Sequence, residues 1–522
     1  MVDTRSRALI SAGSSQSDRL PIVAGTAAII ALALFFRLYK LDTLLHWAFG
    51  DEMSFSLQGL YVLHGQQSGL FADSWAPGPS AYEYILAVFQ NLFGISLRSG
   101  RLVSVVFGTL TVPLVALCAR EMGISWPASL LAAGLLAVSH WAAHFSRMVL
   151  GTTVAAFFLL LAVYTMMLAF QRGRWWLFLL AGVACGVAEY WKVYNLVLGP
   201  VLFVWCTYLL TIHFRWVRDH LWMIGLFIAS CILTDIPLLQ HWLNNADQFL
   251  NDEHHVGVLY NLSYWSATHP GESTTIWSVL WYQVRLGLGM FVINGGPYSP
   301  WGGTYAPAMD IVTGWLLFVA VPFALYRWLQ PLTTLIFICL FTTWFAGVVM
   351  TIDAPQMEHA VGALPAIFLL IAALADEVGM LIARFTNPTL IYPSLCGLLL
   401  LVSAGFNYNA YFQVWAPQLA GSNGFSWQFY DAASYVGSHS TPHGTAIYSW
   451  PYPDEFFLFL APHAGEFAAN AKVFRRASLY IIMVGDGVSP ALVAAHVPKA
   501  RLEVVHDVDG DIAFTAVVPP SP

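Results

Sequence analysis

The chain has 522 residues, 58% of them hydrophobic and only 10% charged, with a formal net charge of −7. A soluble domain carries about 25% charged residues, so these proportions exclude a water-soluble globule of this length. The acidic excess is spread along the chain and provides no basic surface for nucleic acid.

A membrane-crossing helix needs about 20 mostly apolar residues. In chain order such runs fall at 20–39, 101–119, 127–145, 150–170, 174–190, 193–212, 220–240, 311–328, 332–350, 362–383 and 389–407. The first is followed by Arg37-Leu38-Tyr39-Lys40 rather than a small-residue cleavage site, so it reads as a retained anchor. All six cysteines lie inside apolar runs, none at metal-ligand spacing, and read as small buried hydrophobes.

Charge sets the orientation. With the tail 1–19 in the cytoplasm, the inside turns carry Arg120, then Arg172 and Arg174, Arg215 and Arg218, Arg327, and Arg384. Counting the apolar stretch 81–95 as a further span would invert every later turn. It is therefore read as an interfacial helix, as is the Trp-rich stretch 276–293. An odd number of spans places the C-terminus outside. From 408 the apolar runs shorten. Thr445–Ser449, Leu479–Val484, Leu502–His506 and Ile512–Val518 read as strands, and 429–437 and 489–496 as short helices.

The predicted fold class is a polytopic α-helical membrane protein of about eleven spans with a small C-terminal extracytoplasmic α/β domain. Its parts are the cytoplasmic tail 1–19, a membrane domain 20–407 with outer loops 40–100 and 241–310, and the domain 408–522. The outer loops hold nearly all the ionisable residues that orientation does not explain: Asp42, Asp51, Glu52, Asp73 and Glu83, then His144 and Arg147, Glu189 and Lys192, Asp247 to Asp310, and Asp353, Glu358 and His359. A site at the outer membrane–water boundary is expected. Asp252-Glu253-His254-His255 reads either as a solvated charge run or as ligands for a metal or phosphate.

Several stretches recur in a familiar order. Phe49-Gly50-Asp51-Glu52 follows the first span, then come Trp75-Ala76-Pro77-Gly78-Pro79 and an interfacial helix ending Leu92-Phe93-Gly94. Arg101 to Leu110, Ser139 to Arg147, Gly182 to Gly186, and Tyr190-Trp191-Lys192-Val193-Tyr194 follow. Over roughly residues 20–385 this pattern resembles the bacterial relatives of protein O-mannosyltransferases and aminoarabinose transferases, membrane glycosyltransferases of the C-type fold. The resemblance implies a polyprenyl-phosphate sugar donor and an acceptor hydroxyl.

It also implies roles for particular residues. Asp51 matches the family's catalytic acid, with Glu52 beside it; on the residues alone, the pair also reads as acids favoured at a helix start. Lys192 resembles the cation near the donor phosphate, and Arg147 reads either as a phosphate contact or as an interfacial arginine. Glu83, His144, Tyr190, Tyr194, Glu358 and His359 complete the candidate donor and substrate contacts. One departure stands out. Where many relatives carry an arginine before a Pro-containing span, this chain reads Gln356-Met357-Glu358-His359 ahead of Pro365. Either Lys192 and Arg147 serve the leaving group alone, or a divalent metal ion held partly by Glu358 and His359 does, or the donor differs. The competing readings are a transporter or flippase for lipid-linked sugars and a non-catalytic accessory protein. The sequence has no visible internal repeat, and its acids sit in loops rather than at mid-membrane.

Overall fold

A computed structural model describes residues 16–72, 78–191, 197–249, 251–296, 306–352, 354–385, 390–420, 427–439, 445–448, 454–462, 477–483, 489–506, 510 and 512–520. Asp73, Lys192, Tyr194 and Asp353 lie outside these ranges. In chain order the first elements are α1 (Gln16–Leu38), α2 (Gly50–Leu63), the short pair β1 (Phe71–Ala72) and β2 (Gly78–Pro79), α3 (Ala81–Phe93), α4 (Leu97–Glu121), α5 (Trp126–Val138) and α6 (His140–Phe145). Then come α7 (Gly151–Arg172), α8 (Trp175–Glu189), α9 (Leu198–Ile212), α10 (Phe214–Asp219) and α11 (Leu221–Asn244). After three short helices follow α12 (Ile276–Gly289), α13 (Ile311–Tyr326), α14 (Pro331–Trp344), α15 (Leu364–Ile382) and α16 (Ile391–Tyr408). Each apolar run of the sequence holds a helix: among the described residues, seven are long and apolar enough to cross a membrane, and four shorter ones (α5, α8, α9, α13) are also apolar. Neither α3 nor α12 is among them.

The chain forms two compact units. The first comprises 1–41, 69–82 and 101–415, and the second 42–68, 83–100 and 416–522. In the first unit, α8 is clasped between α7 and α11. The α8–α11 contact depends on two glycines four residues apart. A Cβ on Gly182 would overlap Ser230 Oγ and the Phe227 carbonyl, and one on Gly186 would lie 2.7 Å from Thr234 Cβ. Such small-residue spacing lets helix backbones approach inside a bilayer.

The arginine-bearing turns gather at one end of this unit, as the charge pattern requires. Arg172 pairs with Glu121 at 2.7 Å, Gly173 sits against His220, the Tyr208 hydroxyl donates to the Trp328 carbonyl at 2.7 Å, and Arg327 pairs with Glu377. These contacts tie the turns near 121, 172, 220 and 328 together without reference to a membrane.

Two predicted spans differ in detail. The run 127–145 breaks at Ser139, whose backbone is extended (ψ 122°) and whose side chain caps α6 by accepting from the Ala142 amide. The break is held by Asn407: its Oδ1 accepts from the His140 amide at 2.9 Å and lies 2.6 Å from His140 Nδ1. The run 332–350 ends in a π-helical turn, Phe345–Val349, where Gly347 lets the His359 carbonyl pass close by.

Asp310, an outer-loop acid in the sequence reading, is buried. It caps α13 through the Val312 and Thr313 amides and also accepts from Ser403 and Asn407, both at 2.8 Å.

In the second unit, α17 (Trp427–Ser438), β3 (Thr445–Tyr448), α18 (Asp454–Leu460), β4 (Leu479–Met483), α19 (Pro490–His496), β5 (Arg501–His506) and β6 (Ile512–Val518) form a small α/β fold. The sheet order is β3-β4-β6-β5, with β3 parallel to β4 and the other pairs antiparallel. The strands follow the sequence reading closely, and α18 is a further helix in a stretch to which that reading gives no element. It packs on α2, and residues 42–68 and 83–100 share a unit with the C-terminal segment.

Candidate functional site

The acid pair belongs to the second unit. Asp51 and Glu52 occupy the first turn of α2, after Phe49, which offers no side-chain cap. Carboxylates there meet the positive end of the helix dipole. Glu52 is fully buried and Asp51 half-buried, and both are engaged by neighbouring groups. The C-terminal segment supplies two further carboxylates. Glu455 of α18 has an oxygen 3.7 Å from the place a Cβ on Gly50 would take. Asp431 of α17 accepts from the Trp47 indole N–H at 3.2 Å. These acids are far from Asp51 in sequence and carry no motif, so only the fold reveals them.

α2 crosses α3 at Gly59, whose missing side chain admits Leu86 and Ala87, and Gln90 donates to the Ser56 carbonyl at 2.7 Å. These contacts make the helices antiparallel and place Glu83 on the other side of the crossing from Glu52. Glu83 is 5% exposed, and its Oε2 has no hydrogen-bond partner among the described residues. Burial pushes its carboxyl up to about 7.

The first unit holds the cationic and aromatic candidates. Arg147 is buried, and its guanidinium donates to the carbonyls of Phe36 (3.2 Å), Arg37 (3.0 Å) and Lys40 (3.0 Å). The first two are orphan acceptors of the last turn of α1, and the third lies two residues beyond it. Tyr411 and Phe412 lie 5.6 and 5.5 Å below the same guanidinium. His144 stacks on Trp415 at 5.2 Å. Arg147 and His144 thus lie on one aromatic segment, Asn409–Trp415.

Glu358 and His359 are buried and line a small cavity with Thr152 and Thr343. The Trp141 indole N–H holds their loop through the Met357 carbonyl at 3.0 Å. Tyr190 donates to the Thr234 carbonyl at 3.0 Å, tying the end of α8 to α11. Beside it, Trp191 stacks on Phe158 at 4.1 Å, and its carbonyl passes 3.5 Å from the Cβ position of Gly151. The first turn of α7 is therefore bracketed by Trp191 at Gly151 and by Glu358 and His359 at Thr152. Lys192 and Tyr194 lie outside the described residues. Among the described residues, no three His, Cys, Asp or Glu side chains are placed to hold one metal ion. The side chains of Asp252 and Glu253 lie outside the described residues.

Comparison with known proteins agrees with this architecture. Residues 71–249 match the family model for dolichyl-phosphate-mannose-protein mannosyltransferases. That stretch contains Glu83, His144, Arg147, Tyr190, Lys192 and Tyr194. No curated protein matches the sequence. Among solved structures, ArnT from Cupriavidus metallidurans, bound to undecaprenyl phosphate, is similar over 97% of this chain and 98% of its own, with 14% identity and a TM-score of 0.57. The oligosaccharyltransferase AglB from Archaeoglobus fulgidus, in complex with an inhibitory peptide and a dolichol-phosphate, is similar over 86% of this chain, with 13% identity and a TM-score of 0.58. The chain spans 64% of that enzyme's length. The fold is that of the C-type membrane glycosyltransferases, as the sequence resemblance implied.

Proposed function

We propose that this protein is a membrane glycosyltransferase that moves a sugar from a polyprenyl-phosphate donor to an acceptor hydroxyl. The observation that carries the reading is the family match over residues 71–249, to enzymes named for a lipid-phosphate-linked sugar donor. Transfer forms a bond between the acceptor oxygen and the anomeric carbon and breaks the bond from that carbon to the phosphate oxygen. The acceptor must lose a proton, and the departing polyprenyl phosphate gains negative charge. We assign the first task to Asp51 as general base, supported by Glu52, and the second to Lys192.

Arg147, Glu83, His144, Tyr190, Tyr194, Glu358 and His359 are assigned to donor or substrate contact or to shaping those contacts. Glu358 and His359 stand where relatives often place an arginine, and a divalent ion there would restore positive charge. The tail 1–19 is assigned to the cytoplasm and 408–522 to the opposite side. Reporter fusions after 215 and after 260 test that orientation, and a cytoplasmic C-terminus would overturn it.

The chemical test uses purified protein in liposomes with a labelled polyprenyl-phosphate sugar. Asp51→Asn keeps shape and removes the base, so turnover should fall about 100- to 10,000-fold. Near-normal turnover in that variant would make Asp51 a helix-start residue. A strict need for a nucleotide sugar, with no lipid intermediate, would sink the donor assignment.

A further inference from the structure

At the arginine-bearing end of the first unit, the backbone of α9 leans mainly on α14 and α10, and its Trp205 meets Phe170 of the layer formed by α7, α8 and α11 at 5.8 Å. The wedge left between them is a cavity of about 270 Å³. Its wall is entirely apolar or aromatic apart from Cys206, and includes Phe170, Phe178, Trp205, Trp216 and Ile228. Phe170 and Trp216 meet at 4.4 Å and close the inner side. Leu210 and Ile228, 51% and 49% exposed, form its mouth. The volume equals about nine waters at about 30 Å³ each, yet the wall gives water almost nothing to bind. A hydrocarbon chain entering from the bilayer makes the dispersion contacts that such a wall requires.

The rim has a distinct chemistry. Trp175, Trp176 and Trp222 are exposed there, as interfacial aromatics are. Of the nearby arginines, Arg172 pairs with Glu121 and Arg218 with Asp219. Arg174 and Arg215 are exposed, and neither has an acidic partner among the described residues. Arg174 lies one turn before Phe178, and Arg215 immediately precedes Trp216, so both flank the wall. Two unpaired cations beside an apolar slot complement one ligand, a lipid with a negative head and a hydrocarbon tail.

We propose that this slot holds an acyl chain of an anionic bilayer phospholipid, whose headgroup is gripped by Arg174 and Arg215. The Trp205 indole N–H, buried and without an acceptor among the described residues, donates to an ester carbonyl of that lipid. The site lies at the opposite end of α7 from Gly151, about 30 Å away for a helix of 22 residues. It is a structural lipid site distinct from the groups assigned to sugar transfer, and its test does not depend on activity.

Native mass spectrometry of the detergent-purified protein decides the matter, using phosphatidylglycerol and phosphatidylcholine with identical chains. The wild type should retain one phosphatidylglycerol, with a preference of roughly fivefold for each arginine. Arg174→Gln/Arg215→Gln should bind the two lipids equally, and Cys206→Trp, which fills the slot, should lose both. Equal retention by the wild type, or a preference that survives the arginine replacement, would overturn the proposal. So would displacement of phosphatidylglycerol by polyprenyl phosphate at equal concentration. The arginines are exposed, so their replacement tests the headgroup contact even if the slot-filling variant fails to fold.

Discussion

Replacing Arg147 separates two roles that the sequence leaves open. The structure gives its guanidinium three carbonyl acceptors at the end of α1 and two aromatic rings beneath. Each charge-assisted bond is worth about 1.5–3 kcal/mol, and the ring contacts add about 0.5–1 kcal/mol each. Part of this total is offset because an arginine must be desolvated to sit there. Leaving a buried carbonyl without its donor costs about 1–3 kcal/mol, and with the lost ring contacts Arg147→Ala should cost about 2–5 kcal/mol. Arg147→Lys keeps the charge but loses the planar fork, so it should recover only part of the stability. Thermal unfolding followed by tryptophan fluorescence in detergent reads both variants, alongside binding of a labelled polyprenyl phosphate. A large fall in unfolding temperature for Arg147→Ala, partly restored by lysine, supports the clamp on α1. An unchanged unfolding temperature with lost donor binding would refute the clamp and make Arg147 a phosphate ligand.

Glu83 predicts a pH effect. Its carboxyl is raised from 4.5 to about 7 by burial, so its neutral form is the one the fold favours. That contribution is fully present below pH 4.5 and is lost as pH rises through about 7. Glu83→Gln mimics the neutral form and should exceed the wild type at pH 8 by up to about 3 kcal/mol, converging with it in acid. Parallel melting profiles across pH 5–8.5 would show that Glu83 is not the titrating group. Gly182→Leu should destabilise the α8–α11 contact by at least about 1–3 kcal/mol, because Ser230 and the Phe227 carbonyl occupy the space; a wild-type melting temperature would contradict that close approach. Asp310→Ala strips the α13 cap and leaves Ser403 and Asn407 without their shared acceptor. It should cost about 2–4 kcal/mol, and proteolysis of the 251–310 loop should become faster, an outcome that a solvated loop carboxylate would not give.

The membrane class, the positions of the spans and the clustering of arginine turns were legible in the sequence because each rests on local physics. A bilayer demands long apolar helices, and the arginine rule acts turn by turn. The strands of the C-terminal segment were legible for the same reason: their apolar and β-branched runs are short and bounded by turn residues. Asp51 and Glu52 could be singled out by their place after the first span, as the start of a helix.

Long-range contacts decided the rest. Arg147 reads in sequence as either a ligand contact or an interfacial cation, and only the folded chain brings it to the carbonyls of Phe36, Arg37 and Lys40 at and just past the end of α1, more than 100 positions earlier. Asp310 looks like one loop acid among many until Ser403 and Asn407 surround it. Glu455 and Asp431 reach Gly50 and Trp47 only because α17 and α18 fold into the same unit as α2. The sequence determined which segments must leave water, since that depends on each segment's own composition. The tertiary structure decided which polar groups meet, since hydrogen bonds and charge pairs act over a few ångströms and leave no periodic trace in the chain.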